Sequence, residues 1–431
     1  MKKAAFYTLG CKVNQYETEA MEELFAAKGY DICPFVEKAD VYIINTCSVT
    51  NMSDRKSRQI IRRAKKANPN AVIAVTGCYA QTAPNEVLSI EGVNLVIGNQ
   101  DKKNIVDRVE ALSLDDKSNS VLDIMDSHEF EDLKITKYTD RTRAFIKIQD
   151  GCSQFCSYCI IPYARGPVRS RPENEVIDEI RSLVKNGFSE IILVGIHVAS
   201  YGSDLGNTSL EQLLIKTDKI EGIRRIRLSS IEPMTLDAEF VKKIGVCSKL
   251  CPHFHISLQS GCDETLKRMN RRYTTAQYKE VVDGLRNAFP DAAVTTDIMV
   301  GFAGETDEEF NQTVQFVKEI GFAAAHVFQY SQRRGTPAAK RPNQVAPQIK
   351  ESRSAKIIAL TKQSEQKFQE RFIGRAMEVL FEQTVKGGFW EGKTANYITV
   401  YVKSDDDLQG QYRNVRLQSA KDGIMYGELE D

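Results

Sequence analysis

Three cysteines crowd into Gly151-Cys152-Ser153-Gln154-Phe155-Cys156-Ser157-Tyr158-Cys159, with an aromatic residue directly before the last. Three neighbouring thiols cannot all pair with one another as disulfides, and soft thiolates suit an iron–sulfur cluster. Three ligands on a four-iron cluster leave one iron without a protein ligand, and an open metal position can take substrate or cofactor. A structural zinc site short of one ligand, or a chance grouping, are the blander readings of the same spacing.

A second set is spread along the chain. Residues 1–105 alternate apolar strand-like runs (Ala4–Leu9, Val41–Asn45, Ala71–Thr76, Asn94–Ile97) with helical patterns at Gln15–Lys28 and Ser53–Ala67. Such alternation predicts a parallel sheet flanked by helices. Cys11, Cys47 and Cys78 follow the first three of those runs. The carboxyl ends of parallel strands share one edge, where ligands bind. The three thiols are therefore expected to converge as a second three-thiolate site; the alternative is three separately buried core cysteines.

The elements that must position these thiols form five expected units. Residues 1–105 are an α/β domain, and 106–140 a polar linker. Residues 141–348 resume the strand–helix alternation with strands at Ala144–Gln149, Glu190–Val194, Arg224–Ser229, His253–Leu258, Ala293–Val300 and Ala324–Tyr330. Six βα units predict a partial, open TIM-type barrel whose chemistry lies at the carboxyl ends of its strands. Residues 349–370 form a charged linker helix, and 371–431 a small OB-like β-barrel with turn-separated strands. The overall fold class is α/β with that β module appended.

The helix after the second strand is strongly basic, with Arg55, Lys56, Arg58, Arg62, Arg63, Lys65 and Lys66. These cations are either a solvated face or phosphate contacts for RNA. Lys+Arg and Asp+Glu both total 58, so net charge identifies no partner. No window is apolar enough to span a membrane, and clustered cysteines without a secretory leader predict a cytoplasmic protein. Cys33, Cys247, Cys251 and Cys262 complete no further site and are expected to be incidental thiols.

The Cys152-Cys156-Cys159 spacing resembles the radical S-adenosylmethionine (SAM) superfamily, in which the open iron chelates SAM and reductive cleavage gives a 5′-deoxyadenosyl radical. That resemblance implies SAM contacts at Tyr158, Gly195, Glu232, Gln259, Asp297 and the glycine turn at Gly304, with Arg268 pairing the SAM carboxylate. With Leu9-Gly10-Cys11-Lys12-Val13-Asn14-Gln15, Asn45-Thr46-Cys47-Ser48-Val49-Thr50 and Thr76-Gly77-Cys78-Tyr79-Ala80-Gln81, the whole chain resembles the methylthiotransferase family. The resemblance implies two 4Fe–4S clusters, two uses of SAM, and insertion of a methylthio group at an unactivated C–H carbon. Its C-terminal module resembles a TRAM domain, which binds RNA, although this module carries slightly more anions than cations. The Gly-Cys-Lys-Val-Asn-Gln form is most similar to the branch acting on N6-threonylcarbamoyladenosine beside the tRNA anticodon. The alternatives are isopentenyladenosine of tRNA, an aspartate of a ribosomal protein, or a non-catalytic Fe–S RNA-binding protein. Partners implied are the anticodon stem-loop, an electron donor such as flavodoxin or ferredoxin, and a sulfur source.

Overall fold

The computed structural model describes residues 1–136 and 142–430. The expected junction between linker and barrel, at 140–141, lies outside the described residues. The N-terminal sheet holds β1 (Lys3–Thr8), β2 (Asp31–Cys33), β3 (Val41–Thr46), β4 (Val72–Gly77), β5 (Val93–Val96) and β6 (Ser118–Asn119), in the order β2-β1-β3-β4-β5-β6. All pairs are parallel. Every residue of β3 is buried, because helices cover both faces of a parallel sheet and its central strand reads as an apolar run. Two edge strands, β2 and β6, escape sequence reading because they are too short to show a period. The stretch expected as a linker from 106 carries the helix Ile105–Glu110 and then β6.

The central unit contains β7 (Ala144–Asp150), β8 (Arg169–Ser170), β9 (Glu190–Gly195), β10 (Arg225–Leu228), β11 (His253–His255), β12 (Ala293–Val300) and β13 (Ala324–Gln329). Strands β7, β9 and β10 pair in parallel, as do β11, β12 and β13. Single bridges, Ile226 to Leu250 and Ile231 to Ile256, join the two halves into an open, six-stranded partial barrel. Ile146, Leu193, Leu228, Phe254 and Ile298 belong to its largest apolar core. Regular pairing in β11 stops at His255, short of the expected Leu258, where the chain heads toward Gln259 in a left-handed conformation (φ 65°).

A long helix, Pro347–Glu370, leads to β14 (Ala376–Val385), β15 (Phe389–Thr394), β16 (Thr399–Lys403), β17 (Tyr412–Lys421) and β18 (Ile424–Leu429), closed as β14-β15-β16-β18-β17. Strand β15 is not legible in sequence because Gly392 breaks its β pattern. A Cβ there would stand 2.5 Å from Val379, so close strand packing demands the glycine. This barrel docks on the amino ends of the central strands. Arg227 on β10 donates to the carbonyls of Thr394 (2.8 Å) and Ala395 (2.7 Å), and Tyr397 stacks on His253 at 4.6 Å. No helix among the described residues is long and apolar enough to cross a membrane.

The first two units are locked together by buried charge. Glu17, on helix α1 (Lys12–Ala27), meets Arg165 (2.7 Å), Lys147 (2.7 Å) and Lys102 (3.4 Å); Asp150 meets Lys147 (2.7 Å) and Arg165 (3.1 Å). Burial opposes ionisation of Glu17 and Asp150, but Arg165 and Lys147 outweigh it and hold both carboxyls below the ordinary carboxylate range. Both folded values lie below the unfolded ones, so their stabilisation is full above about pH 4.5 and is lost as pH falls toward the folded values. Urea unfolding of metal-free protein is therefore expected to show a midpoint that drops on acidification below that pH. Arg165→Met, which removes the cation shared by two buried carboxylates and leaves them Lys147 and Lys102, is expected to cost about 3–5 kcal/mol at pH 7. An unchanged midpoint in this variant would contradict the network's structural weight.

Candidate active site

The register Thr8–Asn45 and Thr46–Gly77 aligns the carboxyl ends of β1, β3 and β4. Cys47 and Cys78 follow their strands directly, and Cys11 sits at the start of α1 as its N-cap with no side-chain cap bond. Each loop is held by close backbone. A Cβ on Gly77 (φ 94°) would fall 2.4 Å from the Thr46 carbonyl, and one on Gly10 (φ 111°) 3.2 Å from the Cys47 Sγ. Asn14 ties the loops together by donating to the carbonyls of Leu9 (2.7 Å) and Thr46 (3.1 Å). The thiols feel one another. Burial pushes Cys47 up to about 11, helped by Cys78 and Cys11; burial also raises Cys11, against the Arg165 guanidinium, with Cys78 adding to the rise.

The second set stands in the loop after β7. Cys159 N–H closes back on the Cys156 carbonyl at 2.9 Å, and the Ile161 N–H donates to the Cys159 Sγ at 3.4 Å. Burial lifts Cys152 to about 11 and Cys159 to about 12; the neighbouring Cys156 thiol adds to both, and Arg271 opposes both. All six are free thiols. Among the described residues no three His, Cys, Asp or Glu side chains are placed to hold a metal ion. A cubane spaces its sulfur ligands more widely than one ion does, because each sulfur binds a different iron. Two free, desolvated and mutually interacting thiol sets fit such a group. The positive charge of bound iron would offset the cost of ionising them.

Between the sets lies a cavity of about 400 Å³, lined by Val49 and Thr50 from the Cys47 loop and by Tyr158, Cys159, Gln259, Asp297 and Met299 from the barrel. A wider cleft of about 630 Å³ opens beside it, sharing Ile160 and lined also by Tyr79, Tyr163 and Arg334. The structure thus brings together three of the expected cofactor contacts, Tyr158, Gln259 and Asp297. The Gln259 Oε1 is buried without a hydrogen-bond partner, on a residue held in the left-handed region. Strain and an unmatched acceptor together mark a ligand site. Glu232 does not line the cavity but pairs with Arg271 at 2.8 Å, and Arg271 donates to the Cys156 Sγ at 3.3 Å. Gly195 packs against Gln149, and Gly304 faces Arg268, both outside the lining.

Arg268, expected to pair a SAM carboxylate, is instead committed to Glu309 at 2.5 and 2.8 Å. Arg271 is the cation that reaches the cysteine loop, and sequence reading passed over it. Both lie in Lys267-Arg268-Met269-Asn270-Arg271, and the deciding signal was Asn270. It adopts a left-handed conformation (φ 59°) just past the helix end and turns Arg271 inward. Arg165 was also missed. Arg333, from the loop after β13, donates to Ser48 (2.7 Å) and Asn51 (2.8 Å) and pairs with Asp54 (2.8 Å), clamping the Cys47 loop and helix α2 (Asn51–Ala67) to the barrel rim.

On α2, Arg55, Lys56, Arg62, Arg63 and Lys66 are exposed. Arg58 is drawn to Tyr79 and Glu86, and Lys65 donates to the Pro69 carbonyl. Ile60, Ile61 and Ala64 anchor the opposite face in the core. Cys33, Cys247, Cys251 and Cys262 are buried, Cys33 in the N-terminal core and Cys247 in the barrel core.

Residues 146–317 match the radical SAM superfamily model, and residues 3–98 match uncharacterized protein family UPF0004. Among curated relatives, a threonylcarbamoyladenosine tRNA methylthiotransferase MtaB of Bacillus subtilis (strain 168) is 43% identical, covering 99% of this chain and 96% of that one. One of the same name from Thermotoga maritima is 38% identical, covering 99% and 96%. A tRNA-2-methylthio-N(6)-dimethylallyladenosine synthase of Pelotomaculum thermopropionicum is 36% identical, covering 100% and 98%. Among solved structures, the radical S-adenosylmethionine methyltransferase TsrM from Kitasatospora setae, with cobalamin and a 4Fe–4S cluster bound, superposes with a TM-score of 0.58. It is 14% identical and covers 79% of this chain and 77% of that one, a likeness of fold.

The close approach at Gly77 is directly testable. Gly77→Ala must displace either the Cys78 loop or the end of β3, and is expected to cost about 2–5 kcal/mol in urea unfolding of the metal-free protein. Gly29→Ala, at a positive φ with open space around it, is expected to cost only about 1 kcal/mol.

Proposed function

The chain belongs to the radical SAM methylthiotransferases, and we propose that it converts N6-threonylcarbamoyladenosine beside the tRNA anticodon to its 2-methylthio derivative. It is a transferase with 4Fe–4S clusters and SAM as cofactors. The observation that carries the substrate is end-to-end similarity, at 43% and 38% identity, to relatives named for threonylcarbamoyladenosine. The dimethylallyladenosine-named relative stands at 36%.

An aromatic C–H carbon has no acidic proton, so neither a base nor a nucleophile opens it. When bound, the clusters and SAM would supply the radical chemistry and the methyl group that the reaction needs. The protein's part is to hold, orient and shield. Cys152, Cys156 and Cys159 are the residues that would hold one cluster, and Cys11, Cys47 and Cys78 the other. Tyr158, Gln259 and Asp297 would orient SAM; the free Gln259 Oε1 can accept from its amino or ribose hydroxyl groups. Arg271 keeps a cation beside the Cys156 thiolate. The exposed cations of α2 would contact phosphates of the anticodon stem-loop. An electron donor of the flavodoxin or ferredoxin kind and a separate sulfur source complete the reaction, in the cytoplasm where tRNA is processed.

Nucleoside mass spectrometry of bulk tRNA from cells lacking this protein is expected to show loss of the methylthio form and accumulation of N6-threonylcarbamoyladenosine. A profile equal to wild type would overturn the substrate. Cys11→Ala and Cys152→Ala are each expected to lower iron in anaerobically reconstituted protein from about eight to about four atoms per chain. Retention of full iron by either variant would remove that cysteine from the ligand set.

A further inference from the structure

Lys12 stands next to Cys11 at the first position of α1 and is exposed. Its Nζ lies 6.0 Å from the ring centroid of Phe145, a β7 residue, so it points toward the barrel strand beside α1. Residues there act on it electrostatically: Tyr397, Arg143 and Arg227. It acts in turn on His253, on the far wall. Lys12 keeps accessible surface, yet desolvation is the main influence on it.

The positive charge there is not balanced. Arg143 pairs with Glu382 at 2.5 Å, and Arg227 with Glu190 at 2.6 Å. Lys12 has no carboxylate partner among the described residues. Burial would raise the Tyr397 pKa, but Arg143 and Lys12 outweigh it and bring the phenol below its ordinary value, the mark of a positive local potential. This floor connects upward to the cavity between the cysteine sets. Tyr397 stacks on His253 (4.6 Å); Thr295 lies between His253 (3.3 Å) and His255 (3.1 Å); His255 meets Asp297 at 3.3 Å, and Asp297 lines the cavity. A ligand seated in the cavity and carrying an extended, anionic arm would find polar walls along the way and an unmatched ammonium at the end.

We propose that Lys12 is a specificity-determining residue, pairing with the carboxylate of the threonylcarbamoyl arm of the substrate adenosine. The proposal rests on the substrate reading above and goes beyond it by assigning the group that reads the arm's charge. An apolar arm would leave the lysine desolvated and unpaired, so the same side chain that draws in the acid rejects a hydrocarbon.

The test compares two anticodon stem-loops with the reconstituted holoenzyme. One carries N6-threonylcarbamoyladenosine, the other the same nucleoside with its carboxylate converted to the carboxamide. Wild type is expected to prefer the acid by about tenfold to a hundredfold in kcat/KM, the range of a charge-assisted hydrogen bond. Lys12→Met, which keeps the stem and removes the charge, is expected to bring that ratio close to one, and Lys12→Arg to restore part of it. Dissociation constants of both stem-loops, measured without reductant, are expected to follow the same pattern. Because the ratio is taken on one protein, partial loss of cluster or fold lowers both terms and leaves it unaffected. A Lys12→Met enzyme that keeps the wild-type ratio would overturn the proposal, as would a wild-type ratio of one. Wild type that turns over neither stem-loop would overturn the substrate reading, and the proposal with it.

Discussion

The position of Arg165 is the constraint on which the rest depends. It ends the short helix that begins right after Cys159, so it is tied covalently to one cysteine set. Its guanidinium donates to Asn14 (2.6 Å) and Glu17 (2.7 Å) on α1, the helix that Cys11 begins, and its charge acts on Cys11. Asn99 extends the link, donating to both the Cys78 Sγ (3.5 Å) and the Ala164 carbonyl (2.8 Å). Two sites built on different sheets are thereby held at one spacing. A reaction that moves a group from one centre to a carbon opened by the other needs such a fixed distance, since small misplacements cost rate heavily.

Burying that many ions is not the cheapest way to join two domains; a well-packed apolar interface of the same volume is often as stable or more so. What charge gives here is register. An apolar face tolerates sliding, whereas a bidentate guanidinium between Asp150, Glu17 and Asn14 accepts few arrangements. Arg333 does the same at the other side of the cleft by holding Ser48, Asn51 and Asp54. The cleft between the cysteine sets is therefore bounded on two sides by arginines that fix it without filling it.

The architecture was legible in sequence because its elements are long and strongly periodic. Asp307–Ile320 begins with a Thr306–Glu309 capping box, a start signal written in four consecutive residues. The six cysteines proposed as cluster ligands stand out in sequence because their types and spacing are chemical, not conformational. Arginines were the blind spot. Arg268 and Arg271 look equivalent on the page, and only the left-handed turn at Asn270 sends one to Glu309 and the other to Cys156. Arg165 and Lys147 read as ordinary surface charges in a sequence. Their burial follows from how two sheets dock, which no local window contains. Lys12 was visible as a letter in a motif, but its direction depends on the barrel being open beside β7.

In the proposed function, the units would divide the work of binding RNA. The C-terminal barrel is docked on the amino ends of the central strands, through Arg225, Arg227 and Tyr397, whereas the cysteine sets occupy the carboxyl ends. The exposed cations of α2 lie on the cysteine side, because Arg333 pins the start of that helix to the barrel rim. In the proposed function, phosphate contacts there would place a nucleic-acid backbone at the mouth of the cleft without reading its sequence. A base in a single-stranded loop can then turn into the cavity at low cost, since it gives up no pairing. Under the proposed function, affinity would be a matter of α2, and choice of nucleoside a matter of what lies inside the barrel.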